Sequence, residues 1–509
     1  MSVKVYSAQV VGLNADVVEV EVDLSQGLHS FTVVGLPDKA VEESKDRISA
    51  AIKNSDFTSP QKKNQKVTIS LAPADLKKEG PVFDLAISLA YLLASKQIDF
   101  NVQERLFLGE LALDGLIRPI KGILALVKHA QESGFKEVYL PKENTCEAAL
   151  IRDIKIFGCN NLKELVRHLN SKEDFNLQEQ PETKISNDID FKENMVDFCD
   201  IKDQESAKRG LEIAAAGGHH VLMVGPAGTG KTMLAKAFSA ILPPFSFDEI
   251  LETTLIHSVA GTLTEDFLKT RPFRSPHHTA SYAALVGGGV YPRPGEITLS
   301  HRGVLFLDEF PEFERRVIES LRQPLEEGVI NVSRVKDSVT FPSRFILVCA
   351  MNPCPCGNFG SKTKPCVCTQ SALMRYQRKV SGPIMDRIDL WLEVPQVEHE
   401  KLSDTRETGE RSNEIQKRVI KARDMQRKRF GDYNKNILTN SEMGVRELKK
   451  FAPLTENVKT ILNQAAKKLD LSARAYHRVI KLARTIADLD GVSDIAEKHI
   501  FEALQYRPK

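Results

Sequence analysis

The chain has 509 residues, 42% of them hydrophobic, with 70 lysines and arginines set against 68 aspartates and glutamates for a formal charge of +2. That length exceeds what one hydrophobic core organises, so three or four domains are expected, and the near-balanced charge restricts any nucleic-acid surface to local patches. No early stretch joins a basic start to an apolar core and a small-residue cleavage site, and no apolar run reaches the roughly 18 residues of a membrane span, so a cytoplasmic protein without a membrane partner is expected.

The first domain is expected over residues 1–169. The segments VKVYSAQV, VVEVEVDL and HSFTVVGL alternate apolar and polar residues as strands do. Lys39 to Lys53 has helical spacing, KVTISLAP reads as a further strand, and a helix begins near Phe83. GELALDGLIRPI reads as a hairpin, and GILALVKHAQESGFKEVYLP as a helix and a strand, so the domain is α+β. Residues 170–197 are polar, acidic and poor in apolar side chains, the composition of a linker.

Residues 198–396 are expected to form a P-loop ATPase core around a parallel sheet. The segment Gly225, Pro226, Ala227, Gly228, Thr229, Gly230, Lys231 and Thr232 follows the apolar run Val221 to Val224 and precedes MLAKAFSAIL, which has helical periodicity. Strand, glycine-rich turn and helix start are the context in which G-x-x-x-x-G-K-[ST] cradles the phosphates of ATP. The glycines let backbone N–H groups point inward, and the helix N-terminus adds partial positive charge. Lys231 is expected on the β and γ phosphates and Thr232 on Mg²⁺. GVLFLDEF then brings Asp308 and Glu309 to the end of a buried strand, where ligands gather in a parallel sheet. Asp308 suits the role of Mg²⁺ partner and Glu309 that of the base that polarises the attacking water.

The stretch between Lys231 and Asp308 is longer than one helix, one strand and their loops need. It contains RPFRSPHHTASYAALVGGGVYPRPGEITLSHRG, an insertion able to touch a polymer. A second candidate is GVINVSRVKDSVTFPSRF, a predicted hairpin with Arg334 and Lys336 at its tip, where charge can hold DNA phosphates. Solvated surface hairpins are the alternative. Two C-x-C pairs, Cys354 with Cys356 and Cys366 with Cys368, lie in a cysteine-rich insertion over 353–369 and can place four thiolates around a structural Zn²⁺; a redox dithiol and free thiols remain alternatives. Residues 397–509 are rich in helical pattern, a helical lid or C-terminal domain. Within them QKRVIKARDMQRKRF carries a run of cations that mildly favours a polyanion, although a solvated helix face is the commoner meaning.

Resemblances sharpen these expectations. GELALDGLIRPIKG and VYLPKEN resemble the proteolytic domain of Lon, whose fold also occurs in the recombination protein RadA. The resemblance implies a nucleophilic serine directly after Gly80 and Pro81, where this chain has Val82, and a lysine where it has Leu124. The domain is therefore expected to be inactive, since nothing is present to activate. DFCDIKDQESAKRGLEIAAAGGHHVLMVGPAGTGKT, RPFRSPHHTAS, PGEITLSHRGVLFLDEF, AMNPCPCG, SGPIMDRIDL and RAYHRVIKLARTIADL together resemble the ComM/YifB family of magnesium-chelatase-like AAA+ ATPases over nearly the whole chain.

That resemblance implies a hexameric ring driving branch migration of single-stranded or branched DNA during natural transformation, with recombination proteins among its potential partners. It implies Asn352 in the sensor 1 position beside the γ phosphate, Arg387 as the finger offered to a neighbouring subunit, and Arg474, ahead of Arg478, as sensor 2. An alternative is a chelatase-type chaperone ATPase remodelling a protein partner. The absent serine and lysine argue against an ATP-dependent protease.

Overall fold

The computed structural model describes residues 2–170, 175–184, 196–289, 292–333, 338–360, 364–380, 382–397, 409–431, 433 and 437–508. These fall into two compact units, Met1–Asn187 with Phe247–Leu268, and Asp188–Ser246 with Lys269–Lys509. The linear division expected from the sequence thus meets an exchange: the helix Phe247–Ala260, inside the predicted ATPase core, belongs to the first unit.

The first unit is α+β. Its strands are β1 (Val3–Val11), β2 (Asn14–Gln26), β3 (Ser30–Val34), β4 (Gln65–Ala72), β5 (Arg105–Phe107), β6 (Glu110–Leu111), β7 (Ile117–Arg118), β8 (Glu137–Pro141) and β9 (Lys155–Cys159). Seven of them form one mixed sheet in the order β3-β4-β2-β1-β5-β8-β9, and β6 and β7 form a separate hairpin. Alternation dictates the buried face: Val5, Val18, Val20 and Val22 are fully buried, and the β1–β2 register sets Val5 opposite Val20 and Val3 opposite Val22. The helix Asp84–Ala94, buried at every position from Asp84 to Leu92, shares a core with those valines.

Val82 sits in the short turn Pro81–Phe83, and Leu124 is buried in the helix Ile123–Glu132. Both positions are filled by aliphatic side chains, so neither offers a nucleophile or a base.

Glu147, in the turn Thr145–Ala148, is 7% exposed and accepts a hydrogen bond from the Leu124 N–H at 3.2 Å. Burial pushes its carboxyl up to about 7, against 4.5 for an ordinary glutamate. The folded state therefore takes up a proton that the unfolded chain does not. The stabilisation is full below pH 4.5 and is lost as pH rises through about 7, a swing of up to about 3 kcal/mol. We expect the unfolding midpoint of Glu147→Gln relative to wild type to be more favourable at pH 8 than at pH 5. Parallel pH curves for the two proteins would contradict this titration.

In the second unit β10 (Val221–Val224), β11 (Phe273–Arg274), β14 (Val304–Leu307), β17 (Ile346–Met351) and β18 (Leu390–Glu393) make an all-parallel sheet in the order β11-β14-β17-β10-β18. β12 (Gly287–Gly288) pairs with β13 (Arg293–Pro294), and β15 (Val329–Ser333) with β16 (Ser338–Pro342). The predicted second hairpin is therefore present, its last described pair being Ser333 opposite Ser338; Arg334 and Lys336 lie outside the described residues.

β10 and β14 are each four apolar residues, buried save for Val224, as a parallel sheet covered by helices requires. Val221, Met223, Phe306 and Val348 pack in one core with Leu234 and Phe238 from the helix Lys231–Ala240. Val419 from the helix Ser412–Gly431 and Leu482 and Ile486 from the helix Ala473–Leu489 belong to it too. The closing helical region thus shares the core of the parallel sheet.

The basic run of the helix Ser412–Gly431 is partly spent inside the unit. Arg418 pairs with Glu212 at 2.6 Å and with Glu410, Arg423 donates to the Ala215 carbonyl at 2.8 Å, and Arg429 pairs with Asp488. Lys417 and Arg427 reach Glu414 and Asp424 one turn away. Arg418, Arg423 and Arg429 are thus packing residues of this unit, while Lys417, Lys421, Arg427 and Lys428 stay exposed.

Candidate active site

Three adjacent strands deliver the expected residues to one edge. β10 runs into the P-loop, its neighbour β17 ends at Asn352, and β14, beyond β17, ends at Asp308 and Glu309. The register pairs Val224 with Met351 and Leu307 with Cys349, so the three strands end at the same edge, β14 two residues earlier, and the Gly225 N–H donates to the Met351 carbonyl at 3.2 Å. This edge is where an open parallel sheet binds its ligand.

The loop has the shape that a phosphate needs. Gly228 and Gly230 have φ of +76° and +86°, and a Cβ at either would meet nothing within 4 Å, so their backbone borders open space. Gly225 does other work than expected. Its backbone is ordinary, but a Cβ would stand 2.1 Å from the Val394 carbonyl oxygen at the end of β18, so only glycine lets loop and sheet approach. Thr229 braces the turn by donating to the Pro226 carbonyl at 3.0 Å, and Gly230 opens the helix Lys231–Ala240, whose first N–H groups are the unpaired donors of a helix start.

Lys231 bends over this loop, donating to the Gly225 and Pro226 carbonyls at 2.8 Å each and to Asn352 Oδ1 at 3.2 Å. Burial lowers its pKa, and the carboxylate of Asp308 opposes that shift. The Thr232 hydroxyl donates to Asp308 Oδ2 at 2.8 Å, an all-oxygen pair of the kind that Mg²⁺ takes. Lys231, Thr232, Asp308 and Asn352 are thus gathered as expected.

Glu309 stands beside them in an unusual backbone state, φ +50° and ψ +43°, a left-handed conformation that costs a non-glycine residue about 1 kcal/mol and recurs at functional sites. It turns the side chain away from the sheet, where it is 56% exposed. His278 Nδ1 lies 3.3 Å from Glu309 Oε2, and the His278 ring packs 4.1 Å from that of His277. Sequence reasoning flagged the RSPHHTAS segment but gave His278 no role. No sequence signal pointed to it: His278 follows β11, and the pairing of β11 with β14 that brings it to Glu309 is a property of the fold.

Family models place this geometry. That for magnesium chelatase, subunit ChlI, matches residues 197–402; a second for subunit ChlI matches 20–144, and one for the ChlI C-terminal part matches 409–507. The chain is 43% identical over 508 residues to competence protein ComM of Haemophilus influenzae, covering 99% of this chain and 97% of that protein. The chain belongs to the ComM/YifB family of magnesium-chelatase-like AAA+ ATPases. It is 42% identical to the YifB protein of Salmonella typhimurium over 99% of this chain and 96% of the relative. Over 92 residues, 18% of this chain and 22% of the relative, it is 32% identical to DNA repair protein RadA of Streptococcus pneumoniae. No helix among the described residues is long and apolar enough to cross a membrane.

In this ComM/YifB member the arginines expected at the site form a separate cluster. Arg387, 7% exposed, donates to Glu326 and to the Pro383 carbonyl, and Arg474 lies 3.6 Å from the same Glu326. Burial and the cations of Arg474, Arg322 and Arg478 lower the pKa of Arg387. Arg478 is held by Asp389 and by the Arg387 carbonyl, both at 2.5 Å. Burial works against the Asp389 charge, but Arg478 and His219 hold its carboxyl well below the usual range. Arg478 is thereby a structural residue, and Arg474, 61% exposed, is the more available of the two.

The four cysteines of the insertion converge. Their sulfurs lie within 4.8 Å of one another, with Cys354 to Cys356 at 3.3 Å, Cys356 to Cys366 at 3.6 Å and Cys366 to Cys354 at 3.7 Å. Tetrahedral zinc with bonds of about 2.3 Å spaces its sulfurs roughly 3.8 Å apart, so the donor set fits. Backbone N–H groups of Asn358 and Val367 hold the Cys356 thiol down, while burial and the neighbouring thiols push those of Cys366 and Cys368 up.

Proposed function

We propose that this chain is an ATP-driven DNA motor that assembles as a ring, most simply a hexamer, and moves single-stranded or branched DNA in recombination during natural transformation. The observation that carries the ATPase half is the meeting of Lys231, Asn352, Thr232 and Asp308 at one sheet edge. The DNA half draws on the full-length likeness to a competence protein and the partial likeness to a DNA repair protein.

In this reading the residues divide the work. The loop N–H groups from Gly225 to Gly230 and the Lys231 ammonium bind and orient the β and γ phosphates. Thr232 and Asp308 hold Mg²⁺, which when bound neutralises charge on the transferred phosphoryl group. Glu309 accepts a proton from the attacking water, and Asn352 orients that water. Arg387 is offered across a subunit boundary once released from Glu326, and Arg474 takes the sensor 2 role. Cys354, Cys356, Cys366 and Cys368 hold one structural Zn²⁺. The protein works in the cytoplasm, with recombination proteins as partners.

Arg334 and Lys336, which fall between β15 and β16 in the sequence, are the residues assigned to the DNA backbone. Arg334→Ala with Lys336→Ala should weaken binding to single-stranded DNA and lower the slope of log affinity against log salt by about one to two. An unchanged slope moves the DNA contact elsewhere. The chelatase family models favour a second reading, a chaperone ATPase that remodels a protein client. In that case DNA leaves the ATPase rate unchanged.

A further inference from the structure

The cysteine cluster is attached to the nucleotide cradle at two places. Cys354 comes two residues after Asn352, the side chain that accepts from Lys231 Nζ at 3.2 Å, at the end of the strand whose Met351 carbonyl accepts from Gly225. The knuckle then folds back: the Gly357 N–H donates to the Cys354 carbonyl at 2.9 Å, and the Phe359 N–H donates to the Cys354 sulfur at 3.3 Å. This turn brings Gly357 near Ala227 of the P-loop. A side-chain carbon there would stand 3.8 Å from the Ala227 backbone nitrogen and 3.9 Å from its Cβ. Cys354 is fully buried in this turn, and Tyr376, 6% exposed, lies close to it.

We infer that the metal bound by Cys354, Cys356, Cys366 and Cys368 clamps the nucleotide cradle, so that metal and nucleotide stabilise each other's binding. This rests on the zinc reading of the four thiols. With the metal in place the pairs Cys354/Cys356 and Cys366/Cys368 are tied together, Asn352 is fixed from its C-terminal side, and Gly357 is kept near Ala227. Without it four thiols have no common partner, and the two attachments loosen together. Coupling of two sites is reciprocal, so whatever affinity the metal confers on nucleotide, nucleotide confers on the metal.

The test uses the full-length protein as purified. Its zinc content is measured first, then the rate of zinc transfer to an excess of chromogenic chelator with and without ATPγS. Zinc near one per chain, with release slowed about tenfold by saturating ATPγS, is expected. The same comparison on Lys231→Ala should show no protection. Stripped of zinc, the wild-type chain should bind ATPγS about tenfold more weakly and recover on readdition, a measurement that needs no cysteine variant to fold. A chain that neither contains nor takes up zinc overturns the metal reading and the clamp with it. Zinc present but released at one rate regardless of nucleotide overturns the clamp alone.

Discussion

Glu309→Gln should bind ATP within about twofold of the wild type and hydrolyse it about 10² to 10⁴ times more slowly, the usual range for removing a general base. The amide is nearly isosteric, so the left-handed turn at Glu309 and the Asp308 contact with Thr232 are kept. What is lost is the basic oxygen. Because phosphate binding uses the loop after β10 and Lys231 at the start of the following helix, the loss should fall on kcat and leave KM almost untouched. Single-turnover hydrolysis on the pre-bound complex separates the two. Undiminished turnover would remove Glu309 from its role and turn attention to another group at the same edge.

Lys231→Ala should weaken ATP binding about a hundredfold or more. The ammonium gives charge-assisted hydrogen bonds worth about 1.5 to 3 kcal/mol each, and it is already buried at the loop with its pKa lowered. Removing it also deprives the Gly225 and Pro226 carbonyls and Asn352 Oδ1 of their donor. Isothermal titration with ATPγS measures the change. An affinity within about threefold of wild type would mean that the loop N–H groups alone hold the phosphates.

The two substitutions divide the site along the line by which it was legible. The phosphate cradle is contiguous in the chain, so Gly225 to Thr232 could be read directly with its strand and helix. The carboxylates could be read because Val304 to Leu307 is a buried run that ends in charge, and a buried parallel strand has its ligand edge at that end.

Contacts between distant segments were not legible. His278 reaches Glu309 because β11 and β14 are neighbours, which no local pattern states. Arg418 finds Glu212, 206 positions away, so a run that looks basic on paper is partly neutralised in the fold. The helix Phe247–Ala260 has enough apolar residues to cover either unit. Its place beside the helix Ile123–Glu132, with the Gly122 N–H donating to the Ser258 carbonyl at 3.2 Å, depends on a surface that the sequence does not display. The cysteines were an intermediate case, since spacing suggested a tetrahedral set and only the fold closed the loop that brings both pairs together.

Coupling of ATP hydrolysis to DNA is the central claim, and the steady-state ATPase rate of the full-length protein with and without single-stranded and branched DNA measures it most directly. The motor predicts a rate that rises several-fold with DNA, more with a branched substrate, and not at all in Glu309→Gln. A rate indifferent to every DNA structure offered, under salt conditions that permit binding, would contradict it.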